Sequence, residues 1–149
     1  MVLDVQQVEG LAEELARLHP ADILARALQE YGATLSISFS GAEDVVLVDM
    51  ASRSGLPYRV FTLDTGRLHP QTYRFLEQVR DRYDVEIETL FPQPDAVQQL
   101  VATKGYFSFY QDGHEECCSI RKVEPLRRAL SGLGAYVTGQ RKDQSPGTR

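Results

Sequence analysis

The spacing of hydrophobic residues changes repeatedly along this chain, and each change predicts an element of secondary structure. Apolar residues at helical spacing predict two amphipathic helices before residue 32. An alternation of apolar and hydroxyl residues then predicts a strand over residues 35–39, and the apolar run that begins at Val45 predicts one buried helix. The alternation continues downstream, with strands over residues 58–64, 85–91 and 135–138 and helices over residues 70–83, 97–104 and 115–131.

Strands that alternate with helices of this length indicate a parallel sheet with right-handed crossovers. We therefore expect an α/β fold with an open, mostly parallel, doubly wound sheet, formed by a single domain over residues 1–149. In such a sheet, ligands bind beyond the carboxyl ends of the strands, at the point where the strand order reverses. The loops at residues 40–41 and 64–67 both follow predicted strands, so we expect them to meet at this edge.

The turn at Ser40 and Gly41 joins the first predicted strand to a helix, and two interpretations of it stay open. The first turn of a helix has unpaired N–H groups and a partial positive charge, so this junction can bind an anion. Alternatively, Ser40 and Glu43 form a capping box in which the Glu43 carboxylate reaches back to the turn. In either case the carboxylates of Glu43 and Asp44 disfavour a polyphosphate and indicate a ligand with less charge.

Composition and charge limit the possible partners. The 149 residues carry a net charge of -5, so the chain lacks the excess of positive charge that is typical of nucleic-acid-binding proteins. No apolar run approaches the length of a membrane span, and residues 1–4 do not begin a signal peptide, so we expect a cytoplasmic protein. In a reducing compartment the only two cysteines, Cys117 and Cys118, are expected to be thiols or metal ligands rather than a disulfide.

The adjacent cysteines lie in the predicted helix over residues 115–131, which Pro125 should kink or divide near residues 123–124. Neighbouring helical residues point about 100° apart. Cys117 and Cys118 could therefore bind a single metal ion only with strain, whereas a cluster with several irons could take one thiolate at each of two irons.

The residue pattern of two other segments does not by itself assign them any chemistry. Residues 106–110 hold four aromatic side chains, which we interpret as core or as a lid packed on a neighbour, with base stacking as the less favoured alternative. Residues 139–149 follow the last predicted strand at the ligand edge, where another helix usually begins, and the pattern predicts none. We therefore expect the 149 residues to be part of a longer protein.

Four segments match the motifs of a known family, and they occur in the same order along this chain. They are residues 38–44, residues 63–70, the cysteine pair with residues 121–126, and residues 139–149. Together they resemble the assimilatory adenylyl-sulfate (APS) reductases, which are related to the phosphoadenylyl-sulfate (PAPS) reductases and share an adenine-nucleotide α-hydrolase-like fold. The resemblance covers essentially the whole chain.

The resemblance implies an enzyme of sulfate assimilation and cysteine biosynthesis that reduces adenosine 5′-phosphosulfate to sulfite and AMP, with thioredoxin as the reductant. It implies a [4Fe–4S] cluster for which Cys117 and Cys118 provide two of the four ligands, and it places Lys122 between the cluster and the phosphosulfate. It also implies a set of substrate-binding residues: a phosphate-loop turn of Ser40, Gly41, Ala42, Glu43 and Asp44, then Leu63 and Gly139 at the adenine, and Arg149 over the anion.

The charges near the cysteines are consistent with this resemblance. Arg121 and Lys122 would balance anionic cluster thiolates and would attract a nearby sulfo group. The alternative is a solvated helix face that carries two cations. We also expect the turn at residues 40–41 and the cysteine pair to border one hollow at the same rim of the sheet.

Two features of the family are missing from the 149 residues, and other functions stay open. The second Cys-x-x-Cys pair that completes the cluster is absent, as is the tail cysteine that attacks the substrate sulfur, so we expect no turnover by these residues alone. A PAPS reductase is one alternative. An ATP pyrophosphatase-type adenylating enzyme is another, but its phosphate loop would have glycine and serine where this chain has Glu43 and Val45. The last is a nucleotide-binding module without chemistry, or a homodimer in which two cysteine pairs complete one cluster.

Overall fold

Four parallel strands form the centre of the fold. In the computed structural model, which describes residues 4–111 and 113–140, they are β1 (Leu35–Ser38), β2 (Val60–Leu63), β3 (Ile87–Leu90) and β4 (Ala135–Thr138). Their order is β3-β2-β1-β4, and all neighbours in the sheet are parallel. The chain therefore adds strands outward from β1 to β3 and then returns to place β4 on the other side of β1. The predicted α/β fold with an open parallel sheet is confirmed.

Helices pack around this sheet in the described part of the chain. They are α1 (Val5–Leu15), α2 (Pro20–Tyr31), α3 (Val45–Ser54), α4 (Pro70–Tyr83), α5 (Pro94–Lys104), α6 (Ser108–Gln111), α7 (Glu115–Cys118) and α8 (Glu124–Leu130). Right-handed crossovers put α3 and α4 on one face of the sheet and the connection that contains α8 on the other, and α8 contacts β2 and β3. Among the described residues, no helix has the length and apolarity needed to cross a membrane.

The core forms where β1 meets the helices of one face. Leu35 and Ile37 in β1 are fully buried, as are Val48 and Ala51 in α3. Residues on both faces of β1 are shielded from solvent, which is the pattern of a central parallel strand. The helix predicted after the turn exists, but only one of its faces is buried, because Val46 is 51% exposed.

The predicted helix over residues 115–131 is divided, as its proline led us to expect. Helix α7 ends at Cys118, a π-helical segment spans Ser119–Val123, and α8 continues from Glu124. Pro125 lacks an N–H group and its ring crowds the carbonyl four residues earlier, so the regular hydrogen-bond pattern cannot pass this point. The cysteine pair therefore lies at the end of α7, whereas Arg121 and Lys122 lie within the π-helical segment.

Gly134, just before β4, lies where there is too little space for a side chain. A Cβ atom there would lie 2.9 Å from Thr34 Oγ1 and 3.0 Å from Tyr31 Cδ1, so Gly134→Ala should lower the free energy of unfolding by about 1–3 kcal/mol through overpacking. Gly10 in α1 is the matched control, because a Cβ there meets nothing within 4 Å and Gly10→Ala should raise stability by about 0.5–1 kcal/mol. Urea unfolding measures both; a loss of stability in both variants would contradict this account.

Candidate functional site

The turn after β1 is closed by the side chain of Asp44. One carboxylate oxygen, Oδ2, accepts hydrogen bonds from the Ser40 N–H (2.6 Å), the Ser40 hydroxyl (2.8 Å) and the Gly41 N–H (3.1 Å). Asp44 is only 3% exposed, so these bonds are made away from bulk water. The backbone N–H of Asp44 also donates to the Gly41 carbonyl (3.1 Å). The turn is therefore held by a carboxylate of its own sequence.

This geometry corrects the predicted capping box. The carboxylate that accepts from the Ser40 and Gly41 N–H groups is that of Asp44, one residue beyond the predicted Glu43. A 3₁₀ segment over Ala42–Asp44 precedes α3, and its tighter turn brings residue 44 under these N–H groups. Donors that could have bound an anion are therefore already occupied within the protein.

The end of β4 meets this turn at the point where the strand order reverses. Ser38 in β1 pairs with Thr138 in β4, so Gly139 follows directly beside the turn. The Gly139 N–H donates to Oδ1 of Asp44 (2.9 Å), a bond between residues 95 positions apart in the sequence. A Cβ atom at Gly139 would lie 2.6 Å from the same oxygen, so only glycine permits this contact.

A cavity of about 380 Å³, which we call the switch-point cavity, lies between these two segments. It is lined by Ser40, Gly41, Ala42, Glu43, Asp44, Thr138, Gly139 and Gln140. Within the described part of the chain, the only charged side chains in this lining are two carboxylates. A ligand is therefore expected to place neutral polar groups here rather than a phosphate.

The loop after β2 is folded by its own side chains. Oδ1 of Asp64 accepts from the Gly66 N–H (2.7 Å) and from the Tyr73 hydroxyl (3.0 Å). Gly66 has a φ of 72°, a conformation that favours glycine, and the Arg67 N–H donates to the Thr65 hydroxyl (3.2 Å). Desolvation, and then the hydrogen bond and charge of Asp64, raise the pKa of the Tyr73 hydroxyl above its ordinary value. Tyr73 therefore remains a protonated donor at neutral pH.

Arg121 connects the loop after β2 to the π-helical segment that follows the cysteine pair. Its Nη1 donates to the Thr65 carbonyl (2.7 Å), which links the loop after β2 to the π-helical segment. On the other side of the loop, Nη2 of Arg67 donates to the Tyr106 carbonyl (2.7 Å). Nε of Arg121 is buried and has no hydrogen-bond partner among the described residues. A buried unpaired donor is unusual and calls for an explanation.

A second cavity of about 400 Å³, which we call the cysteine cavity, lies between this loop and α7. Its lining residues are Thr65, Arg67, Leu68, His69, Phe107, Phe109, Tyr110, Cys117, Cys118, Arg121 and Lys122. Two arginines and one lysine contribute positive charge, and no carboxylate belongs to this lining in the described part of the chain. The cavity is therefore suited to an anion.

The cysteines match half of the ligand set that an iron–sulfur cluster needs. Cys117 is 7% exposed and Cys118 is half-buried, and the two cysteines do not form a disulfide. No third His, Cys, Asp or Glu in the described residues joins them in a group that could hold a metal ion. The guanidinium of Arg121, whose Nε donor is buried and unpaired among the described residues, belongs to a residue of the same cavity lining, and its positive charge suits an anionic sulfur centre. Two thiols and this donor fit one side of a cluster, which requires four protein ligands.

The predicted site residues line two cavities rather than the single hollow that we expected. The turn over residues 40–44 and Gly139 line the switch-point cavity, whereas the cysteine pair and Lys122 line the cysteine cavity. The two linings have no residue in common. Both cavities lie where chain segments leave the carboxyl ends of strands, which is the edge that the strand pattern indicated.

Some predicted residues lie elsewhere, and some lining residues carried no prediction. Leu63 ends β2, is half-buried and lines neither cavity, and Arg149 lies outside the described residues. Phe107, Phe109 and Tyr110 line the cysteine cavity although the aromatic segment was assigned no function. Its one available signal was the density of aromatic residues, which does not indicate what they face.

Comparison with known proteins identifies the family. The sequence profile of the phosphoadenosine phosphosulfate reductase domain matches residues 34–149. The chain is 60% identical over 140 residues to the adenosine 5′-phosphosulfate reductase of Pseudomonas aeruginosa, an alignment that covers 94% of this chain and 52% of that protein. It is 56% identical over 148 residues to 5′-adenylylsulfate reductase 1, chloroplastic, of Arabidopsis thaliana, which covers 99% of this chain and 32% of that protein.

A solved structure agrees with this assignment of the fold. The crystal structure of the phosphoadenylyl-sulfate reductase from Candida auris, a phosphate complex, matches with a TM-score of 0.80 at 25% identity and covers 97% of this chain and 71% of that chain. The chain spans about half the length of the bacterial relative and about a third of the plant relative. Because the family profile matches most of its residues, the chain belongs to the phosphoadenosine phosphosulfate reductase family, among whose members it resembles the adenylyl-sulfate reductases.

Proposed function

We propose that this chain forms the nucleotide-binding domain of a cytoplasmic, thioredoxin-dependent adenylyl-sulfate reductase, which converts adenosine 5′-phosphosulfate to sulfite and AMP. The names of the bacterial and plant relatives support this substrate. The observation that carries the proposal is the division of the carboxyl edge into one cavity lined with carboxylates and another lined with cations and thiols. A nucleoside phosphosulfate has the same division, with a neutral nucleoside at one end and an anion at the other.

Charge complementarity suggests how the ligand is oriented. We assign the adenosine to the switch-point cavity, where the turn over residues 40–44 and Gly139 would surround it. The resemblance to the adenylyl-sulfate reductases also assigns Leu63, which ends β2 outside both linings, to the adenine. The phosphosulfate would lie in the cysteine cavity, where Lys122 supplies positive charge together with the two arginines of the lining. Arg149 would add a further cation over the anion.

Cys117 and Cys118 would hold one side of a [4Fe–4S] cluster. When bound, the cluster supplies a negatively charged iron–sulfur centre beside the cysteine cavity. Arg121 and Lys122 would balance this charge, and Arg121 keeps the loop after β2 in contact with the helix that carries the thiols. The remaining ligands are not cysteines of these 149 residues, because Cys117 and Cys118 are the only two.

The reduction requires a further thiol. A cysteine thiolate attacks the sulfo sulfur of the substrate, the S–O bond to the phosphate breaks, and AMP leaves with the electron pair. The dithiol of thioredoxin then reduces the S-sulfocysteine, which releases sulfite, regenerates the thiol and leaves thioredoxin as a disulfide. We propose that this attacking thiol lies outside the 149 residues, so that these residues bind nucleotide without turnover.

Thermal protection by nucleotides tests this function. We expect AMP and adenosine 5′-phosphosulfate to raise the Tm of the 149-residue chain more than ATP does, because a triphosphate brings more negative charge to an edge of the sheet that already carries the carboxylates of Glu43 and Asp44. A ligand at 100 times its Kd stabilises a protein by about 2.7 kcal/mol, which a melting curve resolves. Greater protection by ATP would favour an adenylating enzyme. Greater protection by adenosine 3′,5′-bisphosphate would favour a PAPS reductase, which is what the Candida auris protein is named.

Iron content tests the cluster and the remaining alternative. With two cysteines per chain, the monomeric 149-residue chain is expected to hold little iron after anaerobic purification. Iron and a broad visible absorption band that elute with a dimer would instead support a cluster shared between two cysteine pairs. A double variant, Cys117→Ser with Cys118→Ser, is the control, because it removes both thiols and should lose any iron that they hold.

A further inference from the structure

The switch-point cavity has two walls, the turn over residues 40–44 and the segment that begins at Gly139, and the buried carboxylate of Asp44 is hydrogen-bonded to both. Oδ2 of Asp44 accepts hydrogen bonds from Ser40 and Gly41 on one wall, and Oδ1 accepts a hydrogen bond from Gly139 on the other. We infer that Asp44 is a positioning residue for nucleotide binding: it acts through these three residues and sets the distance between the walls before the ligand arrives. The inference rests on the proposed nucleotide-binding function and assigns Asp44 a role within it.

This role differs from that of a loop residue that contacts the nucleotide. An ionised carboxylate can accept about four hydrogen bonds. Four donors of the protein already surround Asp44, namely two N–H groups and one hydroxyl of the turn and the N–H of Gly139. The carboxylate is also 3% exposed, so it has little capacity left for a ligand. Its contribution to binding must therefore pass through the groups that it holds.

The benefit of this arrangement is preorganisation. The two walls come from loops that follow different strands, and a ligand that had to bring them together would bind more weakly because the loops would lose freedom on binding. The Asp44 hydrogen bonds establish their spacing during folding instead. A Cβ at Gly139 would lie 2.6 Å from Oδ1, so there is no room for a side chain between Gly139 and Asp44.

Asp44→Asn tests this role in the 149-residue chain. The asparagine amide has one acceptor oxygen and one NH₂ group, so it can accept hydrogen bonds on one wall but presents N–H groups to N–H groups on the other. We expect the Kd for AMP, measured by calorimetry, to rise at least about tenfold. We also expect faster hydrogen exchange at the Gly139 amide or at the amides of Ser40 and Gly41. An unchanged Kd in the folded variant would overturn the inference.

Two control variants separate positioning from stability and from charge. Leu24→Ala removes a core side chain of α2 that is 3% exposed, so it should lower the Tm but leave the Kd for AMP within about twofold. Asp22→Asn makes the same chemical change at an exposed position in the first turn of α2 and should also leave the Kd unchanged. If Leu24→Ala weakens AMP binding as much as Asp44→Asn does, the effect is one of stability and the inference is wrong.

Gly139→Ala is a second test, in which the carboxylate is kept but must move away from the new Cβ. We expect faster hydrogen exchange at the Ser40 and Gly41 amides on the opposite wall, which tests the link even if Asp44→Asn does not fold. Wild-type protection at those amides would overturn the inference. In the Asp44→Asn background, Gly139→Ala should add little further loss of AMP affinity, because both changes break the same link.

The outcomes distinguish this inference from the proposed function. If the wild-type chain binds neither AMP nor adenosine 5′-phosphosulfate, the proposed function fails, and hydrogen exchange still reports whether Asp44 links the walls. If the wild-type chain binds AMP and Asp44→Asn binds it equally well, the proposed function stands and the positioning role fails.

Discussion

Lys122→Glu is expected to weaken AMP binding by about 30-fold while leaving adenosine binding within about twofold. Lys122 lines the cysteine cavity, to which we assign the anionic end of the ligand. Two unit charges about 4 Å apart interact by about 4 kcal/mol at an effective dielectric constant of about 20. Because Lys122 is exposed, we take about half of this value, and about 2 kcal/mol corresponds to about 30-fold in Kd. Adenosine has no phosphate and should not respond.

Calorimetric titration of AMP and adenosine at low salt measures this difference, which should shrink at high salt because the lysine is solvent-exposed. Arg53→Glu is the matched control. It makes the same change in net charge at a side chain that is 79% exposed, near the end of α3 remote from the turn. Equal losses for AMP and adenosine in Lys122→Glu would indicate structural damage. No loss for AMP would place its phosphate outside the cysteine cavity.

Phe39→Ala is expected to destabilise the protein more than Gly134→Ala does. Phe39 follows β1 directly, is 2% exposed and packs against Phe75 with ring centroids 5.9 Å apart. Truncation of a buried phenylalanine costs about 3–5 kcal/mol, from lost burial and from the cavity left behind. A whole domain has a stability of about 5–15 kcal/mol, so the variant should lose a large fraction of its free energy of unfolding.

Thermal and urea unfolding of Phe39→Ala measure this loss, and we expect the Tm to fall by about 10 °C or more. Phe91→Ala is the matched control because the same side chain is 56% exposed at that position. It should cost less than about 1 kcal/mol, as surface substitutions usually do. Similar losses in the two variants would mean that Phe39 is not a core residue of the protein.

The fold class could be predicted because its signals are local. Period-two and helical patterns follow one another along the chain, and this alternation is enough to indicate a parallel sheet with crossover helices. The strand ends were less accurate: β2 begins at Val60 rather than at Tyr58, and β3 at Ile87 rather than at Val85. A strand ends where its neighbour stops pairing with it, and the sequence of one strand does not contain that information.

The candidate site was predictable in position but less so in detail. The turn at residues 40–41 and the loop after β2 lie at the edge of the sheet where the pattern placed them. The aromatic residues that line the cysteine cavity were missed because their segment has neither the helical nor the strand period. Arg121 was expected to balance charge, and its bond to the Thr65 carbonyl could not be foreseen because the two residues are 56 positions apart.

The sequence by itself determined the succession of strands and helices along the chain and the turn after the first strand. It also determined the adjacent thiols and the division of their helix at Pro125. These features depend on residues that are close together in the chain. Only the tertiary structure decided that Asp44 closes the turn and that the site has two cavities. A buried carboxylate bonds to whichever N–H groups surround it in space, and one of those groups belongs to Gly139, which only the return of the chain to β1 brings within reach.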